Sequence, residues 1–359
     1  MKKYLISGLE PGEGGTGDFI DYLSILNNEN QFGFEFITPK KILESSLGNR
    51  DFYGTVSTIS DADIILLHPQ SLGFDVLISL VKNRNRIRYY VLDNSFFCIR
   101  SYNYHDKDIE CFRCLEFNHK PYFDCDPFPN PIPKNETLEF MKQLRTLSSS
   151  IDFYSQNPKQ TELLKLHFGQ DTKITPIGIW TKTLEEIDLN ERNDEFVSGE
   201  KPKIVYHAST LDAKGFTYFL SLARLLPQYD FFLPVQNYFH IYDFPSNVYA
   251  VCMSWDTGLK ELILKSDLVI CPSLWSAANE AALIKSILLS AKTAVVSIDM
   301  GFEKVIPDSL VLKLSKDPIE GSKKICSFFE KPKFNKNIEV SNWFQSYKKS
   351  CLLEKLFTD

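Results

Sequence analysis

The sequence lacks any long uninterrupted apolar segment. Its longest apolar runs, such as Ile64–Leu67 and Ala281–Ile284, are far shorter than the roughly 20 residues that a membrane-spanning helix requires. Met1–Gly8 is likewise too short for the apolar region of a secretory leader, and it leads directly into a loop. From these two absences we expect a cytoplasmic protein.

Positive charge is also scarce. The 359 residues include 46 Asp and Glu against 40 Lys and Arg, and no basic tract exceeds a few residues. This balance argues against nucleic acid as a partner, because phosphate backbones are bound by basic surfaces. With 43% hydrophobic and 24% charged residues, the composition is that of a globular protein, and the length predicts two domains.

What the sequence does contain is two series of short apolar runs alternating with helical patterns. The first series occupies 1–180 and the second 203–335, and a polar, acidic linker at 181–202 separates them. Strands that alternate with helices predict parallel sheets. We therefore predict an α/β fold of two Rossmann-like, doubly wound domains facing a cleft, with a Cys-rich insertion at about 94–133.

One acidic residue interrupts an apolar helical face in the second series. A helix predicted over Ala277–Ser290, with Ser276 as its N-cap, places Glu280 on the same face as Leu283 and Ile287. Two interpretations remain open. Either the helix dipole stabilises Glu280 in the first turn, or Glu280 points into the cleft and binds hydroxyl groups.

A lysine and a glycine lie between a predicted strand, Lys203–His207, and a predicted helix, Phe216–Leu226. Lys214 and the free amides near Gly215 suit a diphosphate, because cations and helix N-termini both bind anions. The same two residues also fit a surface lysine before a turn glycine.

Two further features follow predicted strands in the first series. Four glycines within 12–17 (GEGGTG), after the strand Tyr4–Ser7, allow a ligand to approach the backbone closely, and the next helix is predicted to begin at Asp18. His68 directly follows the buried strand Ala62–Leu67, at the end of a parallel strand where ligands bind. A hydrogen-bonded surface histidine is the alternative.

In their order and spacing, these segments resemble the glycosyltransferases of the B-type fold (GT-B), specifically the large retaining family 4. The resemblance covers most of the chain except 94–133. The segment 275–286 is most similar to a branch found in bacterial surface-polysaccharide clusters. The motifs that carry the resemblance are Asp63–Pro69, Gly14-Gly15-Thr16-Gly17, Lys214-Gly215, Pro272–Trp275 and Ala294–Val296.

The resemblance implies the GT-B architecture and a nucleotide-diphosphate sugar as donor, with no catalytic metal. It implies that Lys214 holds the donor diphosphate, Glu280 binds hydroxyls of the donor sugar and His68 contacts the transferred sugar. It also implies that the C-terminal helix, 336–359, returns to the first domain. The remaining implied contacts are the acceptor and phosphate loop at Gly14, Gly15, Thr16 and Gly17, and donor contacts at Ser209, Gly215, Ser276, Asn279 and Lys285.

Two positions depart from the family pattern. The family has an arginine five residues before the motif lysine, where this chain has Ser209. It also has a second glutamate eight residues after the first, where this chain has Leu288. Because that glutamate holds the donor ribose in the family, Lys285 and Ser286 are the candidate replacements here.

The insertion contains four cysteines within 28 residues: Cys98, Cys111, Cys114 and Cys125. Cys111 and Cys114 form a CxxC pair, and four thiolates bind Zn tetrahedrally at about 2.3 Å. A structural zinc would explain how a segment with little regular structure stays folded. His105 and His119 are alternative ligands, an iron–sulfur cluster uses the same thiolates, and reduced cysteines packed as small apolar residues are the further alternative.

The last segment, Asn342–Phe357, is predicted to form one amphipathic helix in which aromatic and apolar residues mix with lysines. It docks on the protein or lies at a membrane surface. The second interpretation adds a weak peripheral contact with the inner face of the membrane to the expected cytoplasmic location.

The resemblance implies a retaining hexosyltransferase-type glycosyltransferase of bacterial surface polysaccharide synthesis. Its expected partners are a nucleotide sugar and a glycan or lipid-linked glycan acceptor. A non-catalytic nucleotide-sugar or glycan-binding module of the same fold remains an alternative. A nucleotide-sugar epimerase, which needs no acceptor, and a phosphorylase, which needs inorganic phosphate, are others.

Overall fold

Two compact units make up the computed structural model. Unit 1 consists of Met1–Glu185 and Lys349–Asp359, and unit 2 consists of Glu186–Lys348. Each unit contains one six-stranded parallel sheet with helices, which confirms the predicted α/β class. No described helix is long and apolar enough to cross a bilayer. The structure describes residues 1–12, 14–39, 52–118, 120–128, 132–192, 201–235 and 244–358.

Unit 1 alternates strands and helices along the chain. Its strands are β1 (Lys2–Ser7), β2 (Glu35–Ile37), β3 (Ala62–Leu67), β4 (Arg86–Tyr90), β5 (Ile151–Ser155) and β6 (Ile174–Pro176). Its helices up to residue 185 are α1 (Gly14–Glu29), α2 (Phe52–Ser57), α3 (Pro69–Leu72), α4 (Phe74–Lys82), α5 (Lys134–Leu147), α6 (Pro158–Phe168) and α7 (Lys182–Glu185).

The sheet of unit 1 has the strand order β2-β1-β3-β4-β5-β6. All six residues of β3 are buried, because helices cover both faces of a doubly wound parallel sheet. β2 lies on one side of β1, and β3, the next strand along the chain, lies on the other side. The direction in which strands are added therefore reverses between β1 and β3. Ligands of such sheets bind outside the carboxyl ends of the strands at that reversal point.

Unit 2 repeats this plan. Its strands are β7 (Lys203–Tyr206), β8 (Asp230–Val235), β9 (Val248–Cys252), β10 (Leu268–Cys271), β11 (Thr293–Val296) and β12 (Val311–Leu314). Its helices are α8 (Phe216–Leu225), α9 (Leu259–Leu264), α10 (Ala281–Leu289), α11 (Pro318–Glu330) and α12 (Asn337–Ser350). The strand order is β12-β11-β10-β7-β8-β9, so the reversal point lies between β7 and β10.

The end of the chain is not one helix. After α12 the helix stops, because the backbone N–H of Leu352 donates to the carbonyl of Ile177 at 2.7 Å instead of to a helical carbonyl. A short helix, α13 (Lys355–Thr358), then packs within unit 1, where the Phe357 ring stacks on Phe32 with 4.8 Å between centroids. The prediction of a single helix over Asn342–Phe357 is therefore wrong.

The Cys-rich segment between β4 and α5, predicted as an insertion, has no regular strand among its described residues. Two buried asparagine side chains join distant parts of the segment: Asn94 Nδ2 donates to Asn103 Oδ1 at 2.7 Å. Its surface is held by Tyr122, whose ring stacks on His105 at 4.2 Å and lies 4.3 Å from the guanidinium of Arg113. Side-chain packing thus organises a segment that lacks a periodic pattern.

Candidate functional site

The loops after β7 and β10 form the candidate site of unit 2. The two strands are hydrogen-bonded neighbours at the reversal point, so their carboxyl ends lie side by side. The loop after β7 carries Lys214, and the loop after β10 carries Glu280. Adjacent strands therefore bring together two charged residues that lie 66 positions apart in the sequence.

Lys214 and Glu280 form a close ion pair. Lys214 Nζ lies 2.5 Å from Glu280 Oε1, and Ser273 Oγ donates to the same carboxylate oxygen at 2.5 Å. The ammonium also lies 4.7 Å from the centroid of the Trp275 ring, a cation–π distance. The side chains of Lys214 and Glu280 are only 16% and 9% exposed, so solvent screens their charges weakly.

Two backbone features place Lys214 at this point. The Tyr206 hydroxyl donates to the carbonyl of Ser209 at 2.6 Å and lies 3.1 Å from that of Lys214, which fixes the intervening turn. Gly215 follows with φ +78°, and a Cβ there would lie 2.1 Å from the carbonyl oxygen of Pro272. Gly215 is therefore required by close packing against the β10 loop.

Helix α10 begins at Ala281, four residues later than the predicted Ala277. Glu280 is its N-cap with extended φ and ψ of −119° and 108°, and its side chain makes no capping bond, because its carboxylate is engaged by Lys214 and Ser273. The prediction of Ser276 as N-cap is wrong: Ser276 is buried in the non-helical segment before the helix. Glu280 therefore precedes the helix instead of lying on its apolar face.

The other predicted donor contacts are dispersed around this pair. Ser209 is exposed on the turn before Lys214. Asn279 Nδ2 donates to the Tyr347 hydroxyl at 3.1 Å. Leu288, where the family has its second glutamate, is fully buried and belongs to the core of unit 2.

Lys285 belongs to a second cluster that sequence reasoning did not foresee. Its Nζ lies 4.0 Å from the centroid of the Trp255 ring, and that ring stacks on His207, which directly follows β7. His207 Nδ1 lies 2.8 Å from Ser286 Oγ. Burial, and to a smaller extent the charge of Lys285, lowers the pKa of His207 to about 3, so its imidazole is neutral. A histidine directly after a buried strand is a signal that would have found it.

Unit 1 has its candidate site after β3 and β4. His68 follows β3 with a left-handed backbone, φ 51° and ψ 59°, and its Nδ1 is hydrogen-bonded to Ser71 Oγ. Its Nε2 lies 3.9 Å from Asp93 Oδ2. Asp93 accepts bonds from the backbone N–H of Ser95 at 2.9 Å and from Gln70 Nε2. Sequence reasoning missed Asp93, although it too lies near the end of a buried strand.

Burial shifts both titrating groups of this site toward their neutral forms. It lowers the pKa of His68, an effect that the negative charge of Asp93 opposes. It raises the pKa of Asp93, an effect that His68 opposes. The site therefore offers hydrogen-bonding groups whose charged forms are disfavoured by burial. A left-handed non-glycine residue at such a site is typical of backbone strain at functional positions.

The predicted glycine-rich loop is largely helical. Gly14, Gly15, Thr16 and Gly17 form the first turn of α1, which begins at Gly14 and not at Asp18, and Glu13 lies outside the described residues. The correction has a simple cause: glycine permits helical angles as readily as loop angles. The first four amides of this 16-residue helix follow β1 and have no helical acceptor of their own.

The four cysteines do not form a metal centre in the structure. Among the described residues, which do not include His119, no three His, Cys, Asp or Glu side chains are arranged to hold a metal ion. Burial raises the pKa of Cys111 to about 11 and that of Cys114 to about 12, and it also raises the pKa values of Cys98 and Cys125. Burial thus favours the protonated form of the four thiols, and the arrangement of the described residues does not support the predicted structural zinc.

Comparisons with known proteins establish the fold. No family model matches the sequence, and no curated protein matches it. Sucrose-phosphate synthase from Thermosynechococcus elongatus matches with a TM-score of 0.66 at 11% identity, over 100% of this chain and 97% of that one. Anabaena HepE, solved in complex with UDP, matches with a TM-score of 0.60 at 12% identity, over 100% and 98% of the two chains.

A third solved structure, WaaG, is a glycosyltransferase involved in lipopolysaccharide biosynthesis. It matches with a TM-score of 0.54 at 13% identity, over 99% of this chain and 98% of that one. At identities this low the likeness speaks for the fold. The chain has the GT-B fold of glycosyltransferases, as its sequence motifs predicted.

Proposed function

We propose that this chain is a retaining glycosyltransferase that transfers a hexose from a nucleoside-diphosphate sugar to a glycan or lipid-linked glycan. The observation that carries the proposal is the Lys214–Glu280 pair at the reversal point of the unit 2 sheet. A weakly screened ammonium beside a carboxylate suits a ligand that has both phosphate charge and hydroxyl groups.

Lys214 has the role of stabilising the leaving group. When the bond between the anomeric carbon and the phosphate oxygen breaks, its electron pair stays on the diphosphate, whose negative charge grows. An ammonium held in a low-dielectric setting stabilises that charge more strongly than water does. The acceptor hydroxyl oxygen forms the new bond on the same face of the sugar, and its proton passes to the departing phosphate. No side-chain nucleophile takes part.

Glu280 has the role of binding donor-sugar hydroxyls. Its Oε1 already accepts from Lys214 and Ser273, so hydroxyl groups of the sugar are the remaining donors that suit its carboxylate. We assign Gly215, Ser209, Ser276, Asn279 and Lys285 to the surroundings of the donor.

Unit 1 has the role of handling the acceptor and the transferred sugar. His68 is neutral at pH 7 because burial lowers its pKa, and a neutral imidazole can both donate and accept hydrogen bonds with sugar hydroxyls. The free amides of Gly14, Gly15, Thr16 and Gly17 suit phosphate or hydroxyl oxygens.

We propose a uridine nucleotide as the donor and bacterial surface polysaccharide synthesis, in the cytoplasm, as the setting. HepE was solved with UDP and with UDP-glucose, and WaaG is named for lipopolysaccharide biosynthesis. Both share the fold of this chain, which makes a UDP-sugar the first donor to test.

A non-catalytic binding module is the second candidate. Two observations favour it: Ser209 replaces the arginine of the family motif, and the buried Leu288 replaces the second glutamate. Such a module would bind the nucleotide sugar without consuming it.

Two measurements test the proposal. Thermal unfolding is first followed with a panel of nucleoside diphosphates and nucleotide sugars, where a ligand at about 100 times its Kd should add about 2.7 kcal/mol of stability. Release of the nucleoside diphosphate is then measured with the stabilising donor and a panel of glycan acceptors. Release that depends on the acceptor supports the transferase. A stability shift without release supports the binding module, and release without any acceptor supports hydrolysis or another reaction class.

A further inference from the structure

A large cavity lies at the amino ends of the strands in the unit 2 sheet, whereas Lys214 and Glu280 lie at the carboxyl ends. It has a volume of about 750 Å³. Lys292 and Ser309, which line it, precede β11 and β12, whereas Lys214 and Glu280 follow the carboxyl ends of β7 and β10. In a parallel sheet the loops before the strands and the loops after the strands lie at opposite ends of the strands, so the cavity is separate from the proposed donor site.

The wall of the cavity combines positive charge with apolar surface. Phe328 and Phe334 line it together and contact each other edge to face, 5.9 Å between centroids. Val311 at the start of β12 extends the apolar part. Two acidic residues line it, against five lysines, in a chain whose net charge is negative. The lysines are Lys292, Lys324, Lys331, Lys333 and Lys336.

Lys292 is the innermost of these charges. It is only 6% exposed, and its Nζ donates to the carbonyl of Ser309 at 2.7 Å and to Asn335 Oδ1 at 2.8 Å. Both acceptors are neutral, and among the described residues Lys292 forms no ion pair. Burial lowers the pKa of Lys292 to about 8. The negative charge of Glu339 raises this pKa by a smaller amount, and the positive charge of Arg192 lowers it further. Lys292 therefore stays protonated at pH 7. A buried ammonium whose direct hydrogen-bond partners are both neutral is costly, and an anion in contact with it would relieve that cost.

Four of the lining lysines are exposed, and three of these, Lys331, Lys333 and Lys336 (called the mouth lysines below), belong to the segment after α11. They follow α11 within six residues and interleave with Phe334, which places positive charge next to the apolar wall. Lys324 Nζ is engaged with the carbonyl of Lys313 at 2.8 Å. A ligand with an acidic group and an apolar part would match both halves of this surface.

We propose that this cavity binds an organic phosphate whose apolar group packs on Phe328 and Phe334 while its phosphate lies among Lys292 and the mouth lysines. The ligand is either a dissolved phosphate ester or the headgroup of a lipid. Because the cavity lies at the opposite end of the strands from the proposed donor site, such a ligand would act as an effector or anchor and not as the sugar donor.

Octyl phosphate, kept below its critical micelle concentration, is the probe, and its binding is measured by calorimetry on the full chain. Octyl glucoside has the same chain with a neutral headgroup, and inorganic phosphate has the charge without the chain. We expect octyl phosphate to bind at least about tenfold more tightly than either. Equal binding of octyl phosphate and octyl glucoside, or no binding of octyl phosphate, would overturn the proposal.

The mouth lysines provide the matched variants. The triple variant K331Q/K333Q/K336Q should bind octyl phosphate about tenfold more weakly, the effect of three partly exposed charges. The control K201Q/K265Q/K316Q removes the same number of charges from lysines of unit 2 that neither line the cavity nor adjoin a lining residue, and it should bind as the parent chain does. Equal loss in both variants would show a general charge effect and contradict the cavity as the site.

Co-sedimentation with phosphatidylglycerol vesicles distinguishes the two sources. Sedimentation that the triple variant loses and the control keeps assigns the phosphate to a lipid headgroup. Octyl phosphate binding without sedimentation assigns it to a dissolved ester. Sedimentation without octyl phosphate binding would reject the cavity.

Discussion

The two units share a fold plan but present different chemistry at the reversal points of their sheets. Each has a histidine directly after a strand at the reversal point of its sheet, His68 in unit 1 and His207 in unit 2. His68 is 12% exposed and lies near a carboxyl group, whereas His207 is buried beside Trp255. In unit 2 the loops after β7 and β10 instead hold the ammonium of Lys214 against the carboxylate of Glu280. Topology therefore predicts where a ligand should bind, and the loop side chains predict what kind of ligand it should be.

The largest expected effect is the loss of turnover when Lys214, the charged residue of the unit 2 site, is replaced. Lys214→Met keeps the length of the side chain but removes its charge, and it should lower kcat by about 100- to 1,000-fold, as loss of one electrostatic stabiliser of a transition state does. Lys265→Met, on an exposed lysine of unit 2, is the control. The measurement is nucleoside diphosphate release under donor saturation. Equal turnover in the two variants would remove Lys214 from the mechanism.

Partial rescue should follow if Glu280 is also neutralised. In Lys214→Met the Glu280 carboxylate loses its ion-pair partner, which should cost about 1 to 3 kcal/mol of stability. Adding Glu280→Gln should restore part of that stability without restoring turnover. Thermal unfolding and product release on the same samples separate the two effects.

The two histidines should differ in how they couple stability to pH. The pKa of His207 falls from 6.5 to about 3 on folding, so the native state binds fewer protons than the unfolded state. Its contribution to stability is complete above about pH 6.5 and decreases as the pH falls toward 3. Between pH 6.5 and 4.5 the loss should be roughly 2 to 3 kcal/mol.

His207→Gln should remove that loss, and His68→Gln should remove much less, because Asp93 opposes the effect of burial on the pKa of His68. Urea unfolding at both pH values measures the differences. An equal change in the two variants would contradict the contrast between the two environments.

The contribution of Asp93 to stability should change with pH in the opposite direction to that of His207. Burial raises its pKa, so the native state binds a proton more readily than the unfolded state, and ionised Asp93 opposes folding. Its unfavourable contribution grows as the pH rises from the unfolded pKa through the folded one. Asp93→Asn should therefore gain stability relative to the parent as the pH rises from 4 to 7. A stability difference that stays constant with pH would show that Asp93 ionises as freely in the fold as in the unfolded chain.

The smallest effect concerns the insertion. Tyr122→Ala removes the stacking with His105 and the cation–π contact with Arg113, and it should cost about 1 to 2 kcal/mol. Phe123→Ala is the control, because the Phe123 side chain is 100% exposed and should contribute nothing. Adding a chelator should leave the stability unchanged. A large loss of stability on chelation would restore the metal-site interpretation of the cysteines.

The buried centre of each sheet could be predicted from sequence alone. The apolar runs Ala62–Leu67 and Leu268–Cys271 each predict a strand, and β3 and β10 have these same bounds, because a central parallel strand is a short, continuous apolar run. β9 and β12 were missed. Both are edge strands of the unit 2 sheet, and an edge strand keeps fewer buried positions to mark it.

The site was predictable in part. The motif residues Lys214 and Glu280 were identified from the family resemblance, but their contact depends on β7 and β10 being neighbours, which no local pattern encodes. The helix start near Ser276 was misplaced, because Ser276 is a good N-cap by type yet is buried before the helix. Asp93 was missed because a single carboxylate after a strand has no spacing that distinguishes it.

Equilibrium binding of UDP to three chains tests the central claim most directly. The account predicts that the parent chain and His68→Ala bind UDP with similar Kd, because the unit 2 site holds the diphosphate. It predicts that Lys214→Met binds at least about tenfold more weakly, the loss of one charge-assisted contact. Equal affinity of Lys214→Met and the parent chain, or loss of UDP binding in His68→Ala alone, would contradict it.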